Sequence, residues 1–438
     1  MRRLSPFTRR LWTRSFSSTR HLQEIRDLSQ LERRILPSFY ETAQNDLLAL
    51  QWPAPPRNVL IARKDGSKKV DAAVVEFCNH VQSEYPTINL IVEPRVAAGL
   101  HESVDKPIYS FQKSGEAAFT ALREKVDLIT TLGGDGTILH ASSLFATAER
   151  VPPVLSFSMG TLGFLGEWKF QEYKRAFREV YMSGADASVA ARLHENNGEK
   201  AAAGGAIEAG AKTLSGWSSV RGKSMGRSRG SRVLLRNRLK VGVYAPDGTQ
   251  VENDDTTPEP QAYGDVYAMN EVLLHRGRQP HLSQIQIYVG GRFLTEAVAD
   301  GMLISTPTGS TAYSLSSGGS IVHPLVSSLL LTPICPRSLS FRPLVLPANT
   351  PIVLRLSEKN RAEEVEVSID GVRRDQGLAR GMEVRVVGED IKTADGQWRG
   401  GIPSIVRASG NGAYEGEDHW VGGLNGLLKF NHPFGEDS

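Results

Sequence analysis

NVLIARK (58–64), TINLIVEP (87–94), VDLITTL (126–132) and VPPVLSFS (151–158) are apolar runs of strand length, and helical segments such as VDAAVVEFCNHVQ (70–82) lie between them. A strand that reads apolar along its whole length is buried on both faces. Strands of that kind alternating with helices leave few folds open: a parallel sheet covered on both sides. From about residue 190 the pattern changes. RVLLRNRLKVGVYA, GDVYAMNEVLLHR, SQIQIYVGGRFLTEAVADGMLIST, TPIVLRLS and EEVEVSID are strand-like segments joined by turns. They predict a mainly antiparallel, layered second part.

The expected organisation is therefore α/β plus β-rich: an N-terminal α/β domain with a parallel sheet, and a C-terminal all-β, sandwich-like domain. Residues 1–20 read as a mitochondrial transit peptide, 21–56 as a helical lead-in ending in the proline-rich linker WPAPPR, and 57–185 as the α/β domain. Residues 186–380 read as the β-rich domain, and 381–438 as a C-terminal segment expected to pack back on the α/β domain. Two stretches within the β-rich part, 195–232 (Gly/Ala/Ser-rich and basic) and 251–264 (acidic, with prolines), are expected to be disordered insertions. No internal repeat of solenoid length is present.

Composition matters at three points. The formal charge of +3 is carried by the N-terminus. There Arg2, Arg3, Arg9, Arg10, Arg14 and Arg20 stand among apolar residues without a single acid. That is a transit-peptide composition, a matrix-directed address rather than structure. A solvated basic tail or a nucleic-acid arm is the other reading, but the rest of the chain is slightly acidic, which argues against nucleic acid. No stretch reaches the ~18 apolar residues of a membrane span. Two cysteines are too few for a disulfide framework and fit a reducing compartment.

The chemistry is concentrated in three places. Gly133-Gly134-Asp135-Gly136-Thr137 lies where a buried strand hands over to a helix. Glycines there let backbone N–H groups approach an anion, and the helix start adds a positive end. A carboxylate in such a loop repels phosphate unless its task is to take a proton from a hydroxyl attacking a phosphoryl group. The competing reading is a helix-capping aspartate. The second place is Asp300 to Pro324, where an Asp-Gly pair and a strand lead into a loop dense in Thr, Ser and Gly, followed by Ala312 and Tyr313. Its hydroxyls, backbone donors and aromatic ring suit a nucleoside and its phosphates. The third is Asn270-Glu271, a polar pair in an otherwise apolar strand. An amide can read a base edge and a carboxylate can accept from ribose hydroxyls; equally, the pair can be satisfied structurally. GWSSVRGKS (216–224) approaches a P-loop, but five residues rather than four separate its glycines and no strand feeds it.

GGDGT, the Asn-Glu pair and DGMLISTPTGSTAYSLSSGG, in that order, resemble the NAD kinase family, with SMGTLGFLGEW (158–168) and RPLVLP (342–347) as further matching segments. GGDGT alone is shared with diacylglycerol-type lipid kinases and phosphofructokinases; the long second motif is specific. The resemblance covers about 57–390. It implies a site in the cleft between two domains and transfer of the γ-phosphoryl group of ATP, arriving with Mg²⁺, to the adenosine ribose 2′-hydroxyl of NAD or NADH. Carried over by motif, Asp135 is the general base, with Gly133, Gly134 and Thr137 in the phosphate loop. Gly136, His140, Phe164, Asn270, Glu271, Asp300, Thr311, Ala312, Tyr313 and Ser316 become substrate contacts, and Cys335 and Asp370-Gly371 weaker ones. No residues are expected to form a dedicated metal site.

The family also implies a homo-oligomer, dimer or tetramer, acting on small-molecule nucleotides. Two departures are visible. Ala297-Val298-Ala299 stands where many bacterial relatives have a basic residue, and Ser314-Leu315 where they often have Asn-Lys. With the Arg-rich N-terminus, the chain resembles the fungal mitochondrial branch, for which the choice between NAD and NADH stays open. A lipid kinase and a non-catalytic dinucleotide sensor are the alternative functions.

Overall fold

A computed structural model describes residues 24–42, 47–111, 116–160, 163–166, 168–185, 230–251 and 266–407, with residues 420, 423, 424 and 428. The transit-peptide reading of 1–20, nearly all of the two insertions and the P-loop-like 216–224 lie outside these residues.

The first half contains β1 (Ile25–Asp27), β2 (Ser38–Glu41), β3 (Leu48–Gln51), β4 (Asn58–Arg63), α1 (Lys68–Glu84), β5 (Asn89–Val92), α2 (Pro94–Leu100), β6 (Ile108–Ser110) and α3 (Glu116–Lys125). It continues with β7 (Leu128–Gly133), α4 (Asp135–Ser143), β8 (Val154–Ser158), β9 (Trp168–Lys169) and α5 (Tyr173–Met182). The second half runs through β10 (Arg232–Arg236), β11 (Leu239–Tyr244), β12 (Val266–Ala268), β13 (Glu271–His275), β14 (Ser283–Val289), β15 (Arg292–Ala299), β16 (Gly301–Ser305) and α6 (Tyr313–Ser316). It closes with β17 (Ser328–Ile334), β18 (Leu344–Pro347), β19 (Ile352–Leu356), β20 (Glu364–Ile369), β21 (Val372–Arg373), β22 (Leu378–Ala379), β23 (Glu383–Gly388) and β24 (Ile402–Val406).

The large sheet is ordered β1-β6-β5-β4-β7-β8-β24-β10-β3-β2, with β9 beside β8. It is parallel from β1 to β24 and antiparallel beyond. The alternation along β4 explains its two-sided burial. Val59 and Ile61 join α1 and α5 in one core, while Leu60 and Ala62 join Phe119 and Leu122 of α3 and Ile138 and Ala141 of α4 in another. The central strands lie in the order β6-β5-β4-β7-β8, so the winding reverses between β4 and β7. In such sheets the crevice beyond the carboxyl ends of the reversing strands is the natural ligand site.

Two antiparallel sheets make up the β-rich part, ordered β12-β11-β23-β19-β14-β15 and β18-β17-β16-β13-β20-β21. They share one core, with Val241, Ile285 and Leu354 of the first meeting Val272, Ile304 and Val367 of the second, which is a sandwich.

The lead-in departs from the helix that its periodicity predicts. The described residues of 24–51 form β1, a 3₁₀ turn, β2 and β3. Pro37 lacks the N–H that a helix interior needs. Asp127, buried at the base of the sheet, takes the Ile35 N–H at 2.5 Å and those of Arg57 and Asn58 at 2.7 and 2.8 Å. Leu28, Leu31, Leu48, Leu50 and Trp52 are buried against the α/β core, so tertiary pairing overrides local propensity. The division at 186 and 380 also shifts. Strand β10 pairs with β24 in the large sheet, and β23, beyond 380, pairs with β11 in the sandwich. The chain thus crosses between the two parts at 237–238 and again over 389–401.

Candidate active site

Strand β7 is buried at every residue and delivers the chain to Gly134, the residue flanking α4. Asp135 is the first residue of that helix. It does not cap: its Oδ2 accepts the Phe164 N–H at 3.0 Å and its Oδ1 the Leu165 N–H at 3.2 Å. The loop comes this close because residue 163 is glycine; a Cβ there would lie 2.0 Å from Asp135 Oδ1. From behind, the buried Arg236 holds the same loop, its Nε donating to Ser404 Oγ at 3.1 Å and its Nη2 to Phe164 O at 3.4 Å. Each carboxylate oxygen therefore has one amide partner, which fixes its direction and leaves acceptor capacity for a hydroxyl.

Beside Asp135 opens a cleft of about 470 Å³ lined by Arg63, Lys64 and Asp65 at the end of β4, Glu93, Arg95 and Val96 after β5, and Gly134, Gly136, Thr137 and His140 of the loop and α4. All three segments follow parallel strands, so the cleft sits at the reversal point of the sheet. Arg63 is paired with Asp71 and lies 3.7 Å from Asp65. Lys64 and Arg95 have no acidic partner within ion-pair distance among the described residues. His140 Nε2 lies 2.9 Å from Glu93 Oε1. Burial pushes Glu93 up, but His140, Arg95 and Arg63 outweigh it and hold the carboxyl below its ordinary value. The cleft thus offers a helix N-terminus, backbone N–H groups and fixed cations, a setting for a polyphosphate.

The second half of the site begins at Asn270, just before β13. The carboxylate of Asp370 accepts the N–H groups of Met269, Asn270 and Glu271 at 2.6, 2.7 and 3.1 Å. Asp370 and Gly371, at φ 48° and 80°, form the two-residue turn between β20 and β21, a conformation that Asp and Gly tolerate. Three buried polar atoms here lack a partner: Asn270 Oδ1, Glu271 Oε2 and Ser305 Oγ. Glu271 and Ser305 are directly opposite across β13 and β16. Burial and, less strongly, the Asp370 charge push the Glu271 carboxyl up to about 7. Such groups are normally satisfied, and a ligand bearing hydroxyls and amino groups would satisfy them.

Beyond β16 the loop is fastened onto Asn270. Thr306 N donates to Asn270 O at 2.8 Å and Thr306 Oγ1 to Met269 O at 2.6 Å. A Cβ on Gly309 would stand 2.2 Å from Asn270 O. The loop then carries Thr311, Ala312, Tyr313 and Ser316, of which Tyr313 and Ser316 are exposed. Thr311 Oγ1 is engaged with Thr308 O at 3.2 Å.

The halves meet at α4. Met269, one residue before Asn270, is buried among Ile138, Ala141 and Phe145, and Ser142 Oγ lies 3.7 Å from its sulfur. Asp300 stays apart. It pairs with Arg276 at 2.5 Å and stands beyond Gly301, the far end of β16 from Ser305. Five residue steps of antiparallel strand, from Ser305 back to Asp300, put it about 17 Å from Glu271. Cys335, exposed and at φ 45°, lies at that same end, following Ile334, the partner of Gly301.

The residue types alone missed Arg63, Lys64, Arg95, Arg236 and Ser305. The available signal was position: Arg63-Lys64 follows the first parallel strand, where ligands of such sheets bind. No group of three or more His, Cys, Asp or Glu side chains among the described residues could hold a metal ion, and no helix among them is long and apolar enough to cross a membrane.

Comparison with known proteins adds to this geometry. The model of the ATP-NAD kinase N-terminal domain matches residues 59–185 and that of the ATP-NAD kinase C-terminal domain residues 269–389. A protein named mitochondrial NADH kinase from Schizosaccharomyces pombe is 38% identical, over 94% of this chain and 86% of its own length. Its namesake from Saccharomyces cerevisiae is 33% identical, over 94% and 89%. A crystal structure of yeast NADH kinase complexed with NADH superimposes with a TM-score of 0.71 at 32% identity, covering 95% of this chain and all of that one.

Proposed function

The chain belongs to the ATP-NAD kinase family, and from that premise we propose that it transfers the γ-phosphoryl group of ATP to the 2′-hydroxyl of the adenosine ribose of NAD(H), with NADH the preferred acceptor. The preference rests on the names of two relatives that match it over most of their length. One observation carries the reading most directly. Asp135 begins α4, and Met269, which leads into the Asn270-Glu271 pair, packs on the same helix. A base and a nucleoside pocket are thereby assembled on one rigid element.

In the proposed step the ribose sits against Glu271 and the adenine amino group against Asn270 Oδ1. The triphosphate, bound as its Mg²⁺ complex, lies along Gly133, Gly134, Gly136 and Thr137 with Lys64, Arg95 and Arg63. Asp135 accepts the 2′-hydroxyl proton as that oxygen attacks the γ-phosphorus. The bond from the γ-phosphorus to the β,γ-bridging oxygen breaks, ADP leaves, and Asp135 later returns its proton to solvent. Phe164 walls the pocket beside Asp135, His140 borders the cleft, and Thr311, Ala312, Tyr313 and Ser316 flank the dinucleotide.

Asp300 and Cys335 are assigned to the far end of the strand pair, away from the reacting atoms. A homo-oligomer is the proposed assembly, and the exposed apolar residues Phe293, Leu294 and Leu339 are surfaces it would cover. The acid-free, Arg-rich N-terminus and the relatives' names support a mitochondrial site of action, for which the matrix is the proposed compartment. A kinase assay on residues 21–438 with ATP, comparing NAD and NADH, tests the reading. Faster formation of NADPH than of NADP supports it. Dinucleotide binding without ATP consumption would make the protein a sensor, and phosphorylation of diacylglycerol without NADP(H) formation would make it a lipid kinase.

A further inference from the structure

A second concave site lies at the opposite end of the large sheet. A groove of about 630 Å³ is lined by Leu36 to Glu41 of the N-terminal arm and β2, by Arg150 and Val151 ahead of β8, by Gly396 to Arg399, and by Pro403 of β24. Its volume is in the range of small-ligand pockets. Its chemistry is uneven in a telling way. Phe39, Tyr40 and Trp398 supply three aromatic rings, and Tyr40 is 53% exposed. Lys392 Nζ lies over the Trp398 ring at 4.7 Å and pairs at 2.8 Å with Glu41, the carboxylate of the lining. Arg150 and Arg399 have no ion-pair partner among the described residues. Asp395 feels the Arg399 charge and accepts a hydrogen bond from the Thr393 hydroxyl, but it does not line the groove. The charge left over in the groove is positive and sits beside stacking surfaces.

We propose that this groove is a second, non-catalytic site for an anionic nucleotide, its base stacked on the exposed ring of Tyr40 and its phosphates held by Arg150 and Arg399. Guanidinium groups match phosphate oxygens in pairs, and aromatic side chains accept any base face. The site has a mechanical route to the catalytic helix. Arg34 Nη1 donates to Arg150 O at 3.0 Å, while Arg238 Nη2 donates to Ala148 O and Glu149 O at 3.0 and 3.2 Å. The turn between these residues and Ser143 follows α4, whose first residue is Asp135 about 13 Å away along the axis. A nucleotide that draws on Arg150 acts on the segment that sets the seat of that helix, so occupancy is coupled to turnover.

Hydrogen–deuterium exchange on the full chain, titrated separately with ADP and with NADPH, tests this and does not depend on turnover. The expected result is saturable protection of 36–41, 148–151 and 396–399 by at least one of the two. That protection falls at least tenfold in apparent affinity in R150A/R399A, while protection of 63–65 and 133–140 and the unregulated rate persist. Protection by ADP alone identifies an adenine-nucleotide site, and protection by NADPH alone a product site. Protection confined to the catalytic cleft for both nucleotides, in the wild-type chain itself, would overturn the proposal. Equal protection of the groove in the double variant would do the same.

Discussion

At the scale of single residues the site turns on two carboxylates with different surroundings. Asp135 is held open by two amides, whereas Glu271 is half-buried, with a buried and unpartnered Oε2 near the charge of Asp370. The sign of the Glu271 shift sets a pH dependence. A carboxyl titrating near 7 is mostly protonated at pH 6 and mostly ionised at pH 8. If the ionised form accepts from ribose hydroxyls, dinucleotide binding weakens as pH falls, by roughly tenfold at pH 6 if only that form binds. Calorimetric titration of NADH between pH 6 and 8 should show this slope, and E271Q should bind weakly with the slope gone; an unchanged slope in E271Q would assign it elsewhere. Asp135, Asn270 and Glu271 could be read from the sequence because each is a polar residue in an apolar or glycine setting. Lys64 and Arg95 could not, since surface cations are common and only the sheet topology brings these two to one cleft.

At the scale of elements, the start of β13 is secured by a turn from another hairpin. Asp370 satisfies three N–H groups at once. D370A leaves them buried without acceptors and places alanine at positive φ, and each orphaned group costs about 1–3 kcal/mol. We expect the urea midpoint to fall and the NADH KM to rise in D370A, with most of both recovered in D370N, which keeps an acceptor. A D370A protein of unchanged stability would deny the turn that role. The sequence marked Asp370-Gly371 only as a weak carry-over, because the contact spans about a hundred residues and leaves no local trace. The same reason hides β1 to β3. Strands of three or four residues, anchored to the sheet by the distant pairings of β1 with β6 and of β3 with β10, are outvoted by leucine spacing that suits a helix, whereas the long strands β4, β7 and β8 declare themselves through burial on both faces.

For the whole molecule, the two parts are joined through a buried ion pair. Arg238 stands at the first crossing and Glu389 at the start of the second, and they meet at 2.5 and 2.7 Å while Tyr267 lies under the guanidinium at 4.1 Å. Removing one member strands the other charge, a loss of about 3–5 kcal/mol. R238M should therefore lower unfolding stability by that amount and reduce kcat more than binding at either half-site, since each half stays intact while their alignment loosens; a variant as stable as wild type would show that packing alone aligns them. The α/β-then-sandwich order of the molecule was legible from strand and helix periods. The return of β10 and β24 to the first sheet was not, because no local pattern says which sheet an apolar strand will join.

In the proposed reaction Asp135 takes the proton as the phosphoryl group passes directly to the ribose hydroxyl. Single-turnover transfer from γ-labelled ATP to NADH, compared between wild type and D135N with NADH affinity measured in parallel, tests it most directly. Loss of the base should lower the rate by about 10²–10⁴, with NADH bound nearly as tightly as before. Near wild-type transfer in D135N would contradict it.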